Sequence, residues 1–127
     1  MEVVHTDEFG DWYRALDDTD KESVAYSVEL LEQCGVALGY PHSSEIRGAS
    51  IALRELRVQS KGRPIRVFYA FDRTRDAVLI IGGDKEGQDD GRFYRTWIPV
   101  AEKIWKQYLA EREEMERASA SQKKGKG

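Results

Sequence analysis

Three short runs in the middle of the chain decide the fold: Ile51-Ala-Leu-Arg-Glu-Leu-Arg-Val-Gln59, Ile65-Arg-Val-Phe-Tyr-Ala-Phe-Asp72 and Ala77-Val-Leu-Ile-Ile81. Their β-branched, aromatic and other apolar residues, with Gly, Pro, Ser or Asp at the ends of the runs, are typical of β-strands. Residues 60–64 and 73–76 are short enough to be hairpin turns. We therefore predict three consecutive strands, of which the third, apolar throughout, is central in the sheet or covered on both faces.

The flanking segments predict one further strand and three helices. Residues 2–5 predict a strand, and Thr6 is a candidate N-cap for a first helix whose apolar residues recur at helical spacing. Thr19-Asp-Lys-Glu22 matches a capping box for the second helix, and Pro99 fits the first turn of the last one. Residues 39–50 are predicted to be a loop. The predicted order is β-α-α-β-β-β-α, an α+β fold with a mostly antiparallel sheet packed against helices.

Length and composition predict one domain. The chain has 127 residues, of which 40% are hydrophobic and 34% charged, and we assign residues 1–117 to a single domain. Residues 118–127 contain no apolar side chain larger than alanine and are predicted to be a disordered basic tail. Cys34 lies in an apolar helical stretch and is predicted to be a buried structural thiol. The chain shows neither a membrane-spanning run nor a signal peptide, so we expect a cytoplasmic protein without membrane contact.

The net charge of −3 is unevenly distributed along the chain. Residues 1–46 carry a net charge of −9, residues 47–75 a net charge of +6, and residues 76–127 a net charge of zero. A focused basic patch attracts phosphate whatever the charge of the far side of the molecule. Basic residues on strands and turns also serve solubility and edge protection, so the charge count leaves both interpretations open.

Several catalytic motifs are absent from the sequence. It contains no H-E-x-x-H, G-x-x-x-x-G-K-[ST] or G-x-S-x-G motif, and its two histidines, His5 and His42, stand alone. Gly82-Gly83 is predicted to end the third strand. The segment that follows, through Gly87, is a weak candidate for a phosphate loop, because polar residues rather than a helix come next. No metal site and no cofactor are predicted.

Strand alternation gathers charged residues on one face of the central hairpin. If Leu56 faces the core, Glu55, Arg57 and Arg66 share the opposite, open face. Arginines bind phosphate in bidentate fashion and stabilise charge that develops on it, and Glu55 could orient them or accept a proton. The competing interpretation is a cross-strand ion pair on a solvated face, worth only ~0.2–1 kcal/mol.

Basic and aromatic residues alternate near the start of the last helix. This pattern suits single-stranded RNA, whose bases stack on rings while its phosphates meet cations, and it makes Lys85 and Tyr94 candidates for the site. Phe93 and Trp97 are instead predicted to pack the loop against the core. Five further basic residues are predicted to contact RNA: Arg54, Lys61, Arg63, Arg92 and Arg95.

These segments together resemble the HigB-type branch of the RelE/ParE toxin superfamily. The resemblance covers residues 1–110 and rests on Leu53-Arg-Glu-Leu-Arg57, Arg66-Val-Phe-Tyr-Ala-Phe71, Ile81-Gly-Gly-Asp-Lys85, Phe93-Tyr94 and Ile98-Pro-Val-Ala101. It implies a RelE-like fold and the toxin of a type II toxin–antitoxin pair. Such a toxin cleaves mRNA on the ribosome without a metal, through attack of the ribose 2′-OH on the adjacent phosphate. The implied partners are mRNA, the ribosome and a cognate antitoxin, a small helix-turn-helix protein.

The resemblance also implies a role for each candidate site residue. Arg57 and Arg66 would hold and neutralise the phosphate, and Lys85 would stabilise charge or assist proton transfer. Tyr94 would stack on a base or orient the 2′-OH, and Glu55 would support the arginines or share in proton transfer.

The chain departs from the resemblance after the third strand. Many relatives carry a histidine there, whereas this chain has Gly82-Gly83-Asp84, so no general base is assigned. Asp84 is also expected to lower the positive charge around Lys85. Two alternatives stay open: a ParE-like, non-catalytic inhibitor of DNA gyrase, and a plain binding module without toxicity.

Overall fold

A five-stranded sheet forms the centre of the molecule in the computed structural model, which describes residues 1–125, with side chains through residue 121. The strand order is β1-β5-β4-β3-β2, with β1 parallel to β5 and every other pair antiparallel. The predicted α+β fold with a mostly antiparallel sheet is therefore confirmed. The elements are β1 (Val3–His5), α1 (Asp7–Arg14), α2 (Asp18–Cys34), β2 (Ser43–Glu45), β3 (Arg54–Ser60), β4 (Arg63–Phe71), β5 (Ala77–Asp84) and α3 (Asp90–Gly125).

The sheet carries a hydrophobic core on each face, because successive side chains of a strand point to opposite sides. Helices α1 and α2 cover one face, where Leu56 and Tyr69 are fully buried. Helix α3 covers the other face, where Phe68 and Phe93 are fully buried. The central strands β4 and β5 are therefore enclosed on both sides, as predicted for the apolar third strand. The predicted packing of Phe93 against the core is also confirmed.

Gly82 and Gly83 lie inside β5 and not at its end, and each lies against a tryptophan. A Cβ atom on Gly82 would come within 2.3 Å of the Trp12 ring, and one on Gly83 within 3.0 Å of the Trp97 ring. Trp12 belongs to the α1 and α2 face and Trp97 to the α3 face. The two glycines thus allow indole rings to pack closely on opposite sides of one strand.

We expect Gly82→Ala to lower the free energy of unfolding by about 1–3 kcal/mol, because the Trp12 ring must move to admit the methyl group. Gly83→Ala is the matched control, since the clash with Trp97 is milder and a smaller loss should result. Urea unfolding followed by tryptophan fluorescence measures both variants. A Gly82 variant as stable as the wild type, or a larger loss at Gly83, would contradict this packing.

Four features differ from the sequence prediction. Strand β2 lies within the predicted loop. Its Ser-Ser-Glu sequence has no apolar alternation that would predict a strand, and it is held by main-chain hydrogen bonds to β3. Helix α2 is capped by Asp17, whose side chain accepts a hydrogen bond from the Asp20 N–H, two residues before the capping box. Helix α3 begins at Asp90, so Pro99 lies in its interior. Cys34, predicted to be buried, is exposed at the end of α2.

Helix α3 runs past the predicted domain boundary at residue 117 and reaches Gly125, so residues 118–125 are helical where disorder was predicted. Alanine favours helix strongly, and extending an existing helix needs no new nucleus. The side chains of residues 113–121 are exposed, so core packing does not hold this extension. Lys126 and Gly127 lie outside the described residues. No helix within residues 1–125 is long and apolar enough to cross a membrane.

Candidate functional site

The charged residues of the central hairpin meet on the α3 face of the sheet. The register pairs Arg57 with Arg66 and Glu55 with Phe68 across β3 and β4, so the three charged side chains share one face, as alternation predicted. The predicted openness of this face was wrong, since the Glu55 and Arg66 side chains are only 5% and 3% exposed. Because α3 starts well before Pro99, its first turns lie over this part of the sheet.

Glu55 is the centre of the cluster. Tyr94 donates a hydrogen bond from its hydroxyl to Oε1 at 2.6 Å, and Ser44 donates one from Oγ to Oε2 at 2.8 Å. Arg66 Nε lies 3.6 Å from Oε1, and Arg57 Nη1 lies 3.5 Å from Oε2. Two carboxylate oxygens offer about four acceptor positions, and Tyr94, Ser44 and Arg57 fill three of them with hydrogen bonds, while the Arg66 contact is an ion pair without a hydrogen bond. The geometry makes Glu55 an anchor for its neighbours, and both of its oxygens already accept a hydrogen bond.

Tyr94 is a hydrogen-bond donor in this cluster. Burial, the hydrogen bond to Glu55 and the negative charge of Glu55 raise the pKa of the Tyr94 phenol well above its usual value, and Arg66 offsets only part of this effect. The phenol therefore keeps its proton throughout the physiological range. The ammonium of Lys85 lies 5.8 Å from the centroid of the Tyr94 ring, which places a cation over its π-face.

Arg57 and Lys85 are the cations of the cluster that reach the surface. The Arg57 side chain is 29% exposed and lies over the Tyr40 ring at 5.3 Å, while Lys85 is 15% exposed and pairs with Asp90. Glu55, Arg57, Tyr94 and Asp90 line a pocket of about 340 Å³. Arg66 lies behind them, and its Nε is buried without a hydrogen-bond partner. Within the described residues, no group of three or more His, Cys, Asp or Glu side chains is arranged to hold a metal ion.

The five other basic residues predicted to contact RNA do not form one surface. Arg54 lies outside the Glu55 cluster, where it donates hydrogen bonds to the Tyr69 hydroxyl at 3.3 Å and to Ser43 Oγ at 3.1 Å. Arg92 and Arg95 are exposed in the first two turns of α3, next in sequence to the site. The structure therefore brings only these two near Tyr94.

Lys61 and Arg63 lie at the β3–β4 turn and are bound by carboxylates. Lys61 Nζ contacts Asp17 Oδ2 at 2.5 Å, and Arg63 Nη2 contacts Asp20 Oδ2 at 2.6 Å. Arg63 also pairs with Asp84. The carboxylates at the start of α2 thus largely neutralise the positive charge of this turn, and these ion pairs join the helix to the hairpin.

Asp20 is expected to make part of the free energy of unfolding sensitive to acid. A hydrogen bond from the Ser60 hydroxyl, together with the Arg63 guanidinium, holds the pKa of Asp20 below its usual value of 3.8. A carboxylate with a lowered pKa stabilises the fold at higher pH, and that stability is lost as pH falls through the folded-state pKa. We expect Asp20→Asn to lower stability at neutral pH and to flatten the dependence of stability on pH in the acid range below about pH 4.

Urea unfolding across this range tests the prediction, with Asp18→Asn as the matched control. Asp18 is exposed in the same first turn of α2. Equal acid sensitivity of the Asp20 variant and the wild type would show that this carboxylate contributes no linkage.

Sequence reasoning missed two residues of the site, Ser44 and Asp90. Ser44 belongs to β2, which carries no strand signal of its own. Asp84 was expected to be the acid beside Lys85, but it pairs with Arg63, and Asp90 pairs with Lys85. The sequence did contain a signal for this helix start, because aspartate is a preferred N-cap residue and Asp89 directly precedes α3. In the structure Asp89 accepts a hydrogen bond from the Arg92 N–H, as a helix cap does.

The fold and the site define a small α+β protein with a cationic cluster built around a buried glutamate. The model of the family described as phage derived protein Gp49-like matches residues 11–106, and the chain belongs to this family. Two proteins of Mycobacterium tuberculosis, named "Putative toxin HigB2" and "Putative toxin HigB3", are each 34% identical to it, over 116 and 111 residues. The matches cover 90% and 87% of this chain, but 57% of the first relative and 95% of the second. No solved structure matches the chain.

Proposed function

We propose that this chain is the toxin of a toxin–antitoxin pair and cleaves mRNA on the ribosome. The observation that carries the proposal is the gathering of Arg57, Arg66 and Lys85 around the protonated Tyr94, beside a pocket. The toxin role is supported by the names of the two relatives from Mycobacterium tuberculosis. The assignment to the RelE/ParE superfamily and the ribosome as the place of action stay predictions from the sequence resemblance.

The reaction we propose is a transesterification within the RNA and needs no second substrate. The ribose 2′-hydroxyl gives up its proton to solvent as its oxygen attacks the adjacent phosphorus, the bond from phosphorus to the 5′-oxygen breaks, and the 5′-oxygen takes up a proton. The products carry a 2′,3′-cyclic phosphate and a 5′-hydroxyl. Negative charge builds up on the phosphate oxygens during the attack, and preorganised cations stabilise it. We assign this role to Arg57 and Lys85, because both side chains are partly exposed.

Tyr94 supplies the uncharged part of the proposed site. Its protonated hydroxyl can donate to an RNA oxygen in exchange for Glu55, and its ring offers a face on which a base can stack. A phenol whose pKa is raised is a poor proton acceptor, so we assign Tyr94 to orientation and stacking.

Glu55 and Arg66 act in the proposed site as positioning residues. Both side chains are too buried to touch RNA without a rearrangement of α3. Arg66 fixes the Glu55 carboxylate, and Glu55 in turn holds Arg57 and Tyr94. Of the two roles considered for Glu55, support of the arginines fits this geometry better than proton transfer.

The proposal includes a cognate antitoxin, for which we expect a small helix-turn-helix protein. Its binding would stop the toxin from reaching mRNA. Co-production of the protein encoded beside the gene should restore growth of cells that make the toxin.

Inducible production in a bacterium tests the proposed function. We expect growth arrest with mRNA cut within codons and chromosomal DNA intact. Arrest with broken DNA and intact mRNA would favour gyrase inhibition, and absence of any arrest would contradict a toxin. Arg73→Ala is a suitable control, because Arg73 is an exposed basic residue of the β4–β5 turn that pairs with Glu116, outside the site.

A further inference from the structure

We propose that the Asp90 carboxylate occupies the position of the RNA phosphate in the free protein, and that this internal competitor makes cleavage depend on RNA held in place by the ribosome. The choice of RNA as ligand rests on the proposed function. The competition itself is a property of anion binding, and it can be measured without any cleavage.

Asp90 is placed as a displaceable partner of the site's cations. It is the first residue of α3, and its side chain is 75% exposed, yet it contacts the ammonium of Lys85, which is only 15% exposed. Asp90 also lines the same pocket as Arg57 and Tyr94. The Asp90 carboxylate thus belongs to the wall of the pocket and contacts the Lys85 ammonium, so an anion that binds this ammonium must compete with it.

The electrostatics of the cluster support the same assignment. The hydrogen bond from Lys85 and its charge, followed by the charges of Arg66 and Arg57, lower the pKa of Asp90. The Asp90 carboxylate is thus stabilised by Lys85 and Arg57, the two cations that we assign to the phosphate, and also by the buried Arg66 behind them. Cations that stabilise the negative charge of Asp90 would also stabilise a phosphate bound at the same position.

The two carboxylates of the cluster differ in what their displacement would cost. Glu55 is buried, accepts three hydrogen bonds and pairs with the buried Arg66, so its displacement would leave that charge unpaired. The Asp90 side chain is 75% exposed, so its carboxylate returns to water when an incoming anion takes its place on Lys85, and its displacement costs little.

Competition of this kind discriminates between free and positioned RNA. A tethered carboxylate has an effective concentration of about millimolar or more, which a dilute single phosphate cannot match. An mRNA already bound by the ribosome presents its phosphate at a comparable effective concentration and can displace Asp90. The wild-type site is therefore selective for RNA that is held elsewhere.

The direct test is the affinity of the full-length protein for inorganic phosphate, measured by NMR titration at low salt. Asp90→Asn keeps the size of the side chain and removes its charge, and we expect about three- to tenfold tighter phosphate binding. Glu86→Gln is the matched control, because Glu86 is exposed in the same loop and has no side-chain contact with Lys85 among the described residues. Its affinity should stay within about twofold of the wild type.

Unchanged or weaker phosphate binding by the Asp90 variant would overturn the inference, as would an equal gain in the Glu86 control. In cleavage assays, Asp90→Asn should raise the rate on free RNA relative to ribosome-bound mRNA by about the same three- to tenfold factor. An unchanged ratio would overturn the link to ribosome dependence. Tighter phosphate binding by a protein that cleaves no RNA would leave the competition intact and would refute the proposed function alone.

Discussion

Replacement of Glu55 by alanine is expected to lower the free energy of unfolding by about 3–5 kcal/mol, the cost of leaving a buried charge unpaired. Arg66, 3% exposed, would lose its only carboxylate partner among the described residues, and the Tyr94 and Ser44 hydroxyls would lose their acceptor. Chemical denaturation followed by circular dichroism measures the loss. A surface acid whose only task is solubility would show none of it.

Two further variants make this result interpretable. Glu55→Gln keeps an acceptor for Tyr94 but removes the charge, so it should lose less stability than the alanine variant and remains measurable if that variant fails to fold. Glu45→Ala removes an exposed acid from the wall of the same pocket and should change stability by less than about 0.5 kcal/mol. A Glu55→Ala loss as small as that of Glu45→Ala would contradict the anchoring role.

The largest expected effect on activity belongs to Arg57→Ala, which should reduce cleavage of ribosome-bound mRNA by about 10²–10³-fold. The guanidinium is 29% exposed at the pocket, so it can meet a phosphate, and its loss removes stabilisation of the charge that develops during the reaction. Its salt bridge to Glu55 is long at 3.5 Å, so stability should fall by no more than about 1 kcal/mol. Single-turnover kinetics together with a denaturation curve separate the two effects.

The Arg73→Ala protein serves as the matched control in the same assay. Arg73 is 75% exposed and lies on the β4–β5 turn, so its loss removes one positive charge without touching the site. We expect less than about a threefold change in rate, from the net charge alone. A similar decrease in both variants would mean that the protein needs general positive charge and not a phosphate contact at Arg57.

The sequence predicted the charged face of the hairpin because strand periodicity is a local property. Leu56 and Val67 must point to the core, and this requirement alone places Glu55, Arg57 and Arg66 together. The fully buried Phe68 on the same face as Arg66 was the available sign that this face is covered and not open. A phenylalanine that shares a strand face with Arg66 and lies opposite Glu55 indicates a second hydrophobic core on this face, and α3 covers that core.

Features that depend on distant contacts were beyond the sequence. Strand β2 exists because β3 offers it a partner, and its own residues favour no strand. Lys61 and Arg63 looked free in a local charge count, but their partners Asp17 and Asp20 come from α2, more than forty residues earlier. The pairing of Lys85 with Asp90 required the start of α3, which tertiary packing of Phe93 fixes.

We propose that the site of Arg57, Lys85 and Tyr94 promotes cleavage of mRNA by a 2′-OH of the mRNA itself. The most direct measurement is the chemistry of the RNA ends formed when the purified protein is added to translating ribosomes. We expect discrete cuts that leave 2′,3′-cyclic phosphate, or the 3′-phosphate formed when water opens it, on one fragment and 5′-hydroxyl on the other, and at least about a hundredfold slower cutting with Arg57→Ala. Intact mRNA, or fragments that carry 5′-phosphate ends, would contradict it.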